Sequence, residues 1–181
     1  MFAGKGFKIA LPDESHARVP AMGKKRWESV GRVFRGMPKP LTLKQAAKKG
    51  GPEAVGWHVV RNMSELNVKR LRAAKPGKGW TRIPKRLRPK CHKDKKTGFR
   101  NVYGRMAWTE ASPTITGGCT TLSKGRFGHP RANRTISVRE AALIQTFPRD
   151  YIIKTPHIER ACNIVGNALP CDFAELLAKQ C

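Results

Sequence analysis

Apolar positions along this chain fall in short packets separated by glycine, proline and lysine, and few packets carry a helical or strand period. The first forty residues show almost none, so Met1 to Pro40 reads as mostly loop with one short strand at Phe7 to Ala10. Order there would have to be borrowed from a partner surface. Leu41 to Gly50 is the first stretch whose local signals agree: Thr42 as N-cap, Gln45 closing a capping box, lysines in the last turn and Gly50 past the end. Trp57-His58-Val59-Val60 reads as a short strand. Ser64-Glu65 opens a second helix running to about Ala74, with Lys69, Arg70 and Arg72 near its end and Pro76-Gly77 stopping it.

From Lys75 to Lys96 basic residues crowd around Trp80 with proline and glycine between them. That composition blocks regular helix and predicts an extended, cationic, solvent-facing segment. The β-branched run Thr114-Ile115-Thr116, then Gly117-Gly118 and Ser123-Lys124-Gly125-Arg126, predicts strand, glycine turn and basic loop. Ser137-Val138-Arg139-Glu140 is a second capping box, leading into Ala141-Ala142-Leu143-Ile144 and stopped before Pro148. Two further helices are expected, from Pro156 to about Cys162 and from Pro170 to Lys179. The fold class is α+β, and no internal repeat is visible.

Composition then narrows the partners. The chain has 181 residues, with 37 lysines and arginines against 12 acidic residues and a formal charge of +25. Such an excess calls for a polyanion, either nucleic acid or an anionic membrane. No amphipathic basic helix and no run of ~18 apolar residues supports a membrane, and the start lacks the apolar core of a signal peptide. The expected location is cytoplasmic. The five cysteines are odd in number and widely spaced, which does not suit a disulfide framework. Cys91, His92, Cys119 and His129 lack the paired spacing of a zinc site, so free thiols are expected.

Two segments go beyond composition. Arg134-Thr135-Ile136-Ser137-Val138-Arg139-Glu140-Ala141-Ala142-Leu143-Ile144-Gln145-Thr146-Phe147-Pro148-Arg149-Asp150-Tyr151 and Val165-Gly166-Asn167-Ala168-Leu169-Pro170 resemble, in residues and spacing, the ninth and tenth sequence blocks of the DNA (cytosine-5) methyltransferase family. Upstream, Tyr103-Gly104-Arg105-Met106-Ala107-Trp108, Ser112 to Gly118, Lys124 to Phe127 and His129-Pro130 resemble the end of that family's target recognition domain. The resemblance implies a loop-rich segment at 1–40, a recognition region at 41–133, and C-terminal helices at 134–181 that complete a Rossmann-like methyltransferase domain. Such a piece is incomplete on its own.

The resemblance also assigns roles. Arg139 and Glu140 would be structural. Gly166-Asn167, read as a tight turn before a proline-started helix, would place Asn167, Ala168 and Leu169 against S-adenosyl-L-methionine. A second proline is usual in the family where Cys171 stands. The family's nucleophile sits in Pro-Cys-Gln, whereas the one Pro-Cys pair here is Pro170-Cys171 inside the tenth block, so Cys171 is not expected to attack cytosine. Phe2-Ala3-Gly4-Lys5-Gly6 mimics the family's cofactor glycine loop without a strand before it, and is taken as coincidence. With Glu-Asn-Val and Gln-x-Arg-x-Arg also missing, no catalytic residue is assigned.

The partners expected are double-stranded DNA and a complementary catalytic methyltransferase chain. Arg105, Thr114, Thr116, Gly117, Gly118, Lys124 and Arg126 are the candidates for base contacts, because arginine pairs bidentately with guanine and glycine lets backbone approach a base edge. Lys78, Arg82, Lys85 and Arg86 would neutralise phosphates. The competing reading is a non-enzymatic basic nucleic-acid-binding protein, which would need no cofactor-facing amide at Asn167.

Overall fold

The computed structural model describes residues 12–93 and 99–180. The strand expected at Phe7 to Ala10 and the glycine run at 2–6 lie outside them, as does part of the basic stretch at 94–98. The described elements are β1 (His16–Ala17), β2 (Lys25–Arg26), α1 (Val30–Val33), β3 (Leu41–Thr42), α2 (Leu43–Ala47), β4 (Val59–Val60), α3 (Glu65–Ala73), α4 (Val138–Ile144), α5 (Ile158–Asn167) and α6 (Cys171–Ala178). β1 pairs parallel with β2, and β3 parallel with β4. Among the described residues no helix is long and apolar enough to cross a membrane.

The helices whose caps are readable form where expected. Thr42 Oγ1 accepts from the Gln45 amide at 3.3 Å, and Gln45 Oε1 accepts from the Thr42 amide at 2.9 Å. Ser137 and Glu140 exchange the same two bonds at 3.0 and 2.8 Å. Each box satisfies two amides that helix geometry leaves without partners. α4 then packs on α5, whose Ile158, Ala161, Cys162 and Val165 recur at helical spacing and are buried in the main core.

Four expectations fail locally, each for a physical reason. Residues 30–34 are not loop: α1 is capped by Ser29, Val30 and Phe34 enter the main core, and the Val30 and Gly31 amides donate to Glu110 and Trp108 carbonyls. The surface that orders them belongs to this chain. The stretch from Lys75 is not extended either. It folds into 3-10 turns at Trp80–Arg82, Lys85–Leu87 and Lys90–His92, whose Trp80 and Ile83 join Leu71, Ala74 and Leu122 in a second apolar cluster.

The Thr114-Ile115-Thr116 run forms no ladder. Pairing in that region instead runs through single residues, Pro76 with Arg105, Arg105 with Gly128, and Gly128 with Thr135, too short for any period to announce. Finally, Gly166 and Asn167 are not a turn but the last turn of α5, which outruns its expected end at Cys162. Gly166 is needed there for close approach: an added Cβ would overlap the Thr116 carbonyl carbon and the Gly117 nitrogen. Backbone in contact with backbone cannot swing aside. Gly166→Ala is therefore expected to destabilise the full chain by about 1–3 kcal/mol in urea unfolding, as overpacking does. An unchanged midpoint would refute this contact.

Candidate nucleic-acid interface

The 3-10 turns and the residues just before them leave a set of cations exposed. Lys78, Arg82, Lys85 and Arg86 are all exposed, while Trp80 beneath them is 3% exposed and sends its indole N–H to the Phe99 carbonyl at 2.8 Å. Arg88 lies over the Trp80 ring, 5.4 Å from its centroid, and donates to the Ile83 and Thr81 carbonyls at 2.9 and 3.0 Å. The turns are thus pinned from inside, and the remaining charges face water where a phosphate chain could meet them.

Arg105 behaves differently from its expected role in a groove. It is 6% exposed, and its two terminal nitrogens donate to the carbonyls of His129 (2.6 Å), Ala132 (2.7 Å) and Leu71 (2.9 Å) and to Asn133 Oδ1 (2.9 Å). A guanidinium so engaged has no fork left for guanine. It ties α3 to the loop that leads into α4. Arg126 is half-buried, with Nη1 donating to the Gly77 carbonyl at 2.7 Å.

The other candidates divide. Thr114, Thr116 and Lys124 are exposed. Gly117 and Gly118 are half-buried and packed within the chain: a Cβ on Gly117 would overlap the Asn163 amide, and one on Gly118 the Lys124 side chain at 2.6 Å. Their missing side chains serve the contact with α5 and the fold of the loop. Asn167 and Leu169 are exposed at the end of α5, and Ala168 is half-buried.

Ala168 lines an open cavity of about 490 Å³ together with Val30, Ile115, Ile144, Gly166 and Glu28. The surface is largely apolar, with Glu28, Ser112, Thr114, Gln145 and Thr146 as its polar residues. That suits one wall of a small-molecule site. Sequence reading missed the group that holds this wall. Gln145 is buried, and its side-chain amide donates to the Val165 and Ala168 carbonyls at 3.2 and 2.8 Å, while its backbone carbonyl accepts from the Cys171 backbone amide. Thr146, at φ +58, takes the Asp172 amide on its hydroxyl at 2.9 Å and so caps the start of α6. Cys171 is half-buried at that start.

Behind the loop after Gly128 stands a charged network. Glu140, 1% exposed, takes a fork from Arg134 with both bonds at 2.7 Å. Burial opposes its charge, but Arg134 and the Ser137 amide outweigh that and hold its pKa low. Arg139 reaches the Gly56 carbonyl at 2.6 Å. His129 Nδ1 accepts from the Arg131 and Ala132 amides at 3.1 and 2.9 Å, which puts the neutral ring's proton on Nε2, 3.9 Å from Glu140. Among the described residues no group of three or more His, Cys, Asp or Glu is placed to hold a metal ion.

Burial, and then the charge of Arg134, push His129 down to about 4 from 6.5. Between those values the unfolded chain binds the extra proton, so stability is present in full above about 6.5 and is lost as pH falls toward 4. The melting temperature of the full chain is expected to decline across that window. His129→Asn, whose amide oxygen accepts the same two backbone amides, is expected to flatten the decline. Equal slopes would remove His129 from the account.

The comparisons with known proteins follow the same residues. The model of the C-5 cytosine-specific DNA methylase family matches residues 34–181. The type II methylase M.HgiDII of Herpetosiphon aurantiacus is 39% identical over 135 residues, covering 70% of this chain and 37% of that protein. The type II methyltransferase M1.BsuMI of Bacillus subtilis (strain 168) is 40% identical over 96 residues, covering 53% and 22%. DNA (cytosine-5)-methyltransferase 1B of Oryza sativa subsp. japonica is 28% identical over 159 residues, covering 78% and 10%. This chain therefore spans little more than a third of the longest-covered of these relatives. With more than two-thirds of its length inside the matched region, the chain belongs to the C-5 cytosine-specific DNA methylase family.

Proposed function

We propose that this chain supplies the duplex-recognition surface and one wall of the cofactor site of a cytosine-5 DNA methyltransferase, whose nucleophile belongs to a complementary catalytic part. The observation that carries the reading is the exposed set Arg82, Lys85 and Arg86 on internally pinned turns, with Lys78 just before them, in a chain of charge +25 whose relatives are named as DNA methyltransferases. Phosphates meet those cations. Lys124, Thr114 and Thr116, exposed on the adjoining loop sequence, are the candidates for reading bases. Arg105 and Arg126 hold that surface in place.

S-adenosylmethionine, when bound, supplies the methyl group. Ala168 and the apolar side chains around it would face the cofactor, with the exposed Asn167 amide and Leu169 beside them. The open form of the cavity fits a half-site, and the rest would come from the catalytic part. Ile164, Leu169 and Phe173 stand 41–47% exposed on and between α5 and α6, which gives that part an apolar face to cover. Cys171 bonds through its backbone to Gln145 and lies at the head of α6, a packing position rather than an attacking one.

Duplex DNA binding by the full chain is expected to weaken steeply with salt, at a log–log slope of ~0.9 per phosphate neutralised. Replacing Lys78, Lys85 and Arg86 by alanine together should lower that slope by up to about 2.7 for every DNA sequence alike, at ~0.9 each. Lys124→Ala should instead shift the sequence preference, by about 1–3 kcal/mol if it contacts one base pair. Binding indifferent to salt would overturn the surface.

Activity gives a separate check. The chain alone is expected to transfer no methyl group, and mixing with a chain carrying Pro-Cys-Gln and Glu-Asn-Val to restore S-adenosylmethionine-dependent methylation of cytosine. Asn167→Ala should reduce that activity and Cys171→Ser leave it nearly intact. Methylation by the isolated chain that disappears in Cys171→Ser would reverse the division of labour.

A further inference from the structure

A second cavity, of about 480 Å³, lies between residues 34–40 and the loop 129–134. It falls within the size range of about 300–1,000 Å³ typical of small-molecule sites. None of the candidates for base, phosphate or cofactor contact lines it. Its floor is aromatic. The Arg131 guanidinium lies 3.7 Å from the centroid of Trp108, and the His129 ring stacks on Phe34 at 5.4 Å with an interplanar angle of 15°.

This platform is held before any ligand arrives. The Trp108 indole rests against Gly31, where an added Cβ would overlap the ring, so the indole has no room to retreat on that side. The Arg131 backbone is anchored through its amide to His129 Nδ1 at 3.1 Å. The Arg131 side chain itself is exposed, and a guanidinium lying on an indole keeps its outer face for a second planar group. Asn133 gives its amide oxygen to Arg105 at 2.9 Å, which leaves the amide N–H pair as a donor for the edge of such a group.

The charge is selective as well. Of the charged residues lining the cavity, Arg134 and Glu140 neutralise each other through their 2.7 Å fork. Lys39 and Arg131 remain, both exposed, and among the described residues no other carboxylate lines the cavity. A stacking platform, an edge donor and two uncompensated cations together describe the chemistry of a nucleotide: a flat heterocycle, hydrogen-bond acceptors on its rim, and a phosphate. We propose that this cleft binds one nucleotide unit, its base stacked on the Arg131–Trp108 pair and its phosphate on Lys39. The unit is either an unstacked nucleotide of a DNA strand or a free nucleotide. The site itself does not depend on the recognition surface at the 3-10 turns, and only the DNA source rests on that reading.

The test titrates 2′-deoxyadenosine 5′-monophosphate into the full chain at physiological salt, read by tryptophan fluorescence and calorimetry. Saturable binding with quenching is expected, and deoxyadenosine without the phosphate should bind at least ~10-fold more weakly. Arg131→Lys keeps the charge but loses the plane, so it should weaken the nucleotide ~10-fold or more while barely changing the affinity for inorganic phosphate. Lys39→Ala should weaken the nucleotide and leave deoxyadenosine unchanged. Both substituted positions are exposed, and circular dichroism checks that both variants fold. A duplex with one unpaired nucleotide that displaces the monophosphate better than a perfect duplex assigns the unit to DNA; failure of either duplex to displace it assigns a free nucleotide. Absence of saturable binding, or binding unchanged in both variants, overturns the proposal. Salt-dependent duplex binding measured on the same variants reports separately on the recognition surface.

Discussion

A guanidinium buried among carbonyls must have each of its donors answered, because an ion removed from water recovers its hydration only through well-made hydrogen bonds. Arg105 recovers it at both terminal nitrogens, whose four N–H groups meet four acceptors drawn from α3 and from residues 129–133. Those two segments belong to different apolar clusters: Leu71 sits in the one beneath the 3-10 turns, while the loop leads to Ile136 and Val138 in the main core. Regular sheet cannot join them, since pairing there runs through isolated bridges, two of them at Arg105 itself. Arg105, through its side chain and its own backbone, therefore ties the segment before the cationic turns to the loop that leads into α4, with Arg126 adding a bond to the Gly77 carbonyl. A lysine at 105 would offer one nitrogen where the structure uses two, with the planar geometry lost.

The second joint is steric. Gly166 on α5 and the Thr116-Gly117 backbone meet without side chains between them, and Gly117 in turn leaves room for Asn163. Contacts of this kind confer a fixed distance and little else, since packed backbone is far less adjustable than a side chain in a core. The loop bearing Thr114 and Thr116 is thereby set directly against the helix whose end carries Asn167. Whatever the loop does is referred mechanically to that end. Gln145 completes the link by holding the Val165 and Ala168 carbonyls from α4.

These joints explain what the sequence could and could not disclose. Both capping boxes are local, written within four residues, and both are present as expected. The family resemblance rested on two blocks whose residues are largely internal ties, Arg134 to Glu140 and Gln145 to α5, and it agrees with the family match over 34–181. Failures came where order is supplied from a distance. Val30, Val33 and Phe34 stand among polar and glycine residues and form a turn of helix where α4 and the Glu110 and Trp108 carbonyls meet them. The proline-rich basic stretch looked extended because its prolines and glycines block regular helix, while short 3-10 turns around Trp80 leave no period to read. Arg105 looked like a base reader because burial is invisible in a chain whose neighbours at 71, 129, 132 and 133 are far off in sequence. Gln145 gave no signal at all, being one polar residue at the end of an apolar helix.

The division between buried and exposed charge has its own logic. A chain at +25 repels itself, and any cation fixed near another raises the cost of folding unless an anion or water screens it. Arginines dominate the inside of this molecule, at 105, 134 and 139, because a flat, weakly hydrated ion with directed donors can be satisfied by carbonyls and one buried carboxylate. Lysines stay at the rim, at 78, 85 and 124, where an ammonium keeps its water until a phosphate replaces it. The same element of composition thus does two kinds of work: buried arginine substitutes for absent sheet structure, while exposed lysines, with Arg82 and Arg86, leave the surface charged. Trp108 stands where these two uses meet, its ring edged by the packed backbone of Gly31 and its face covered by the solvent-exposed Arg131, so a rigid interior contact ends in a cationic, aromatic surface.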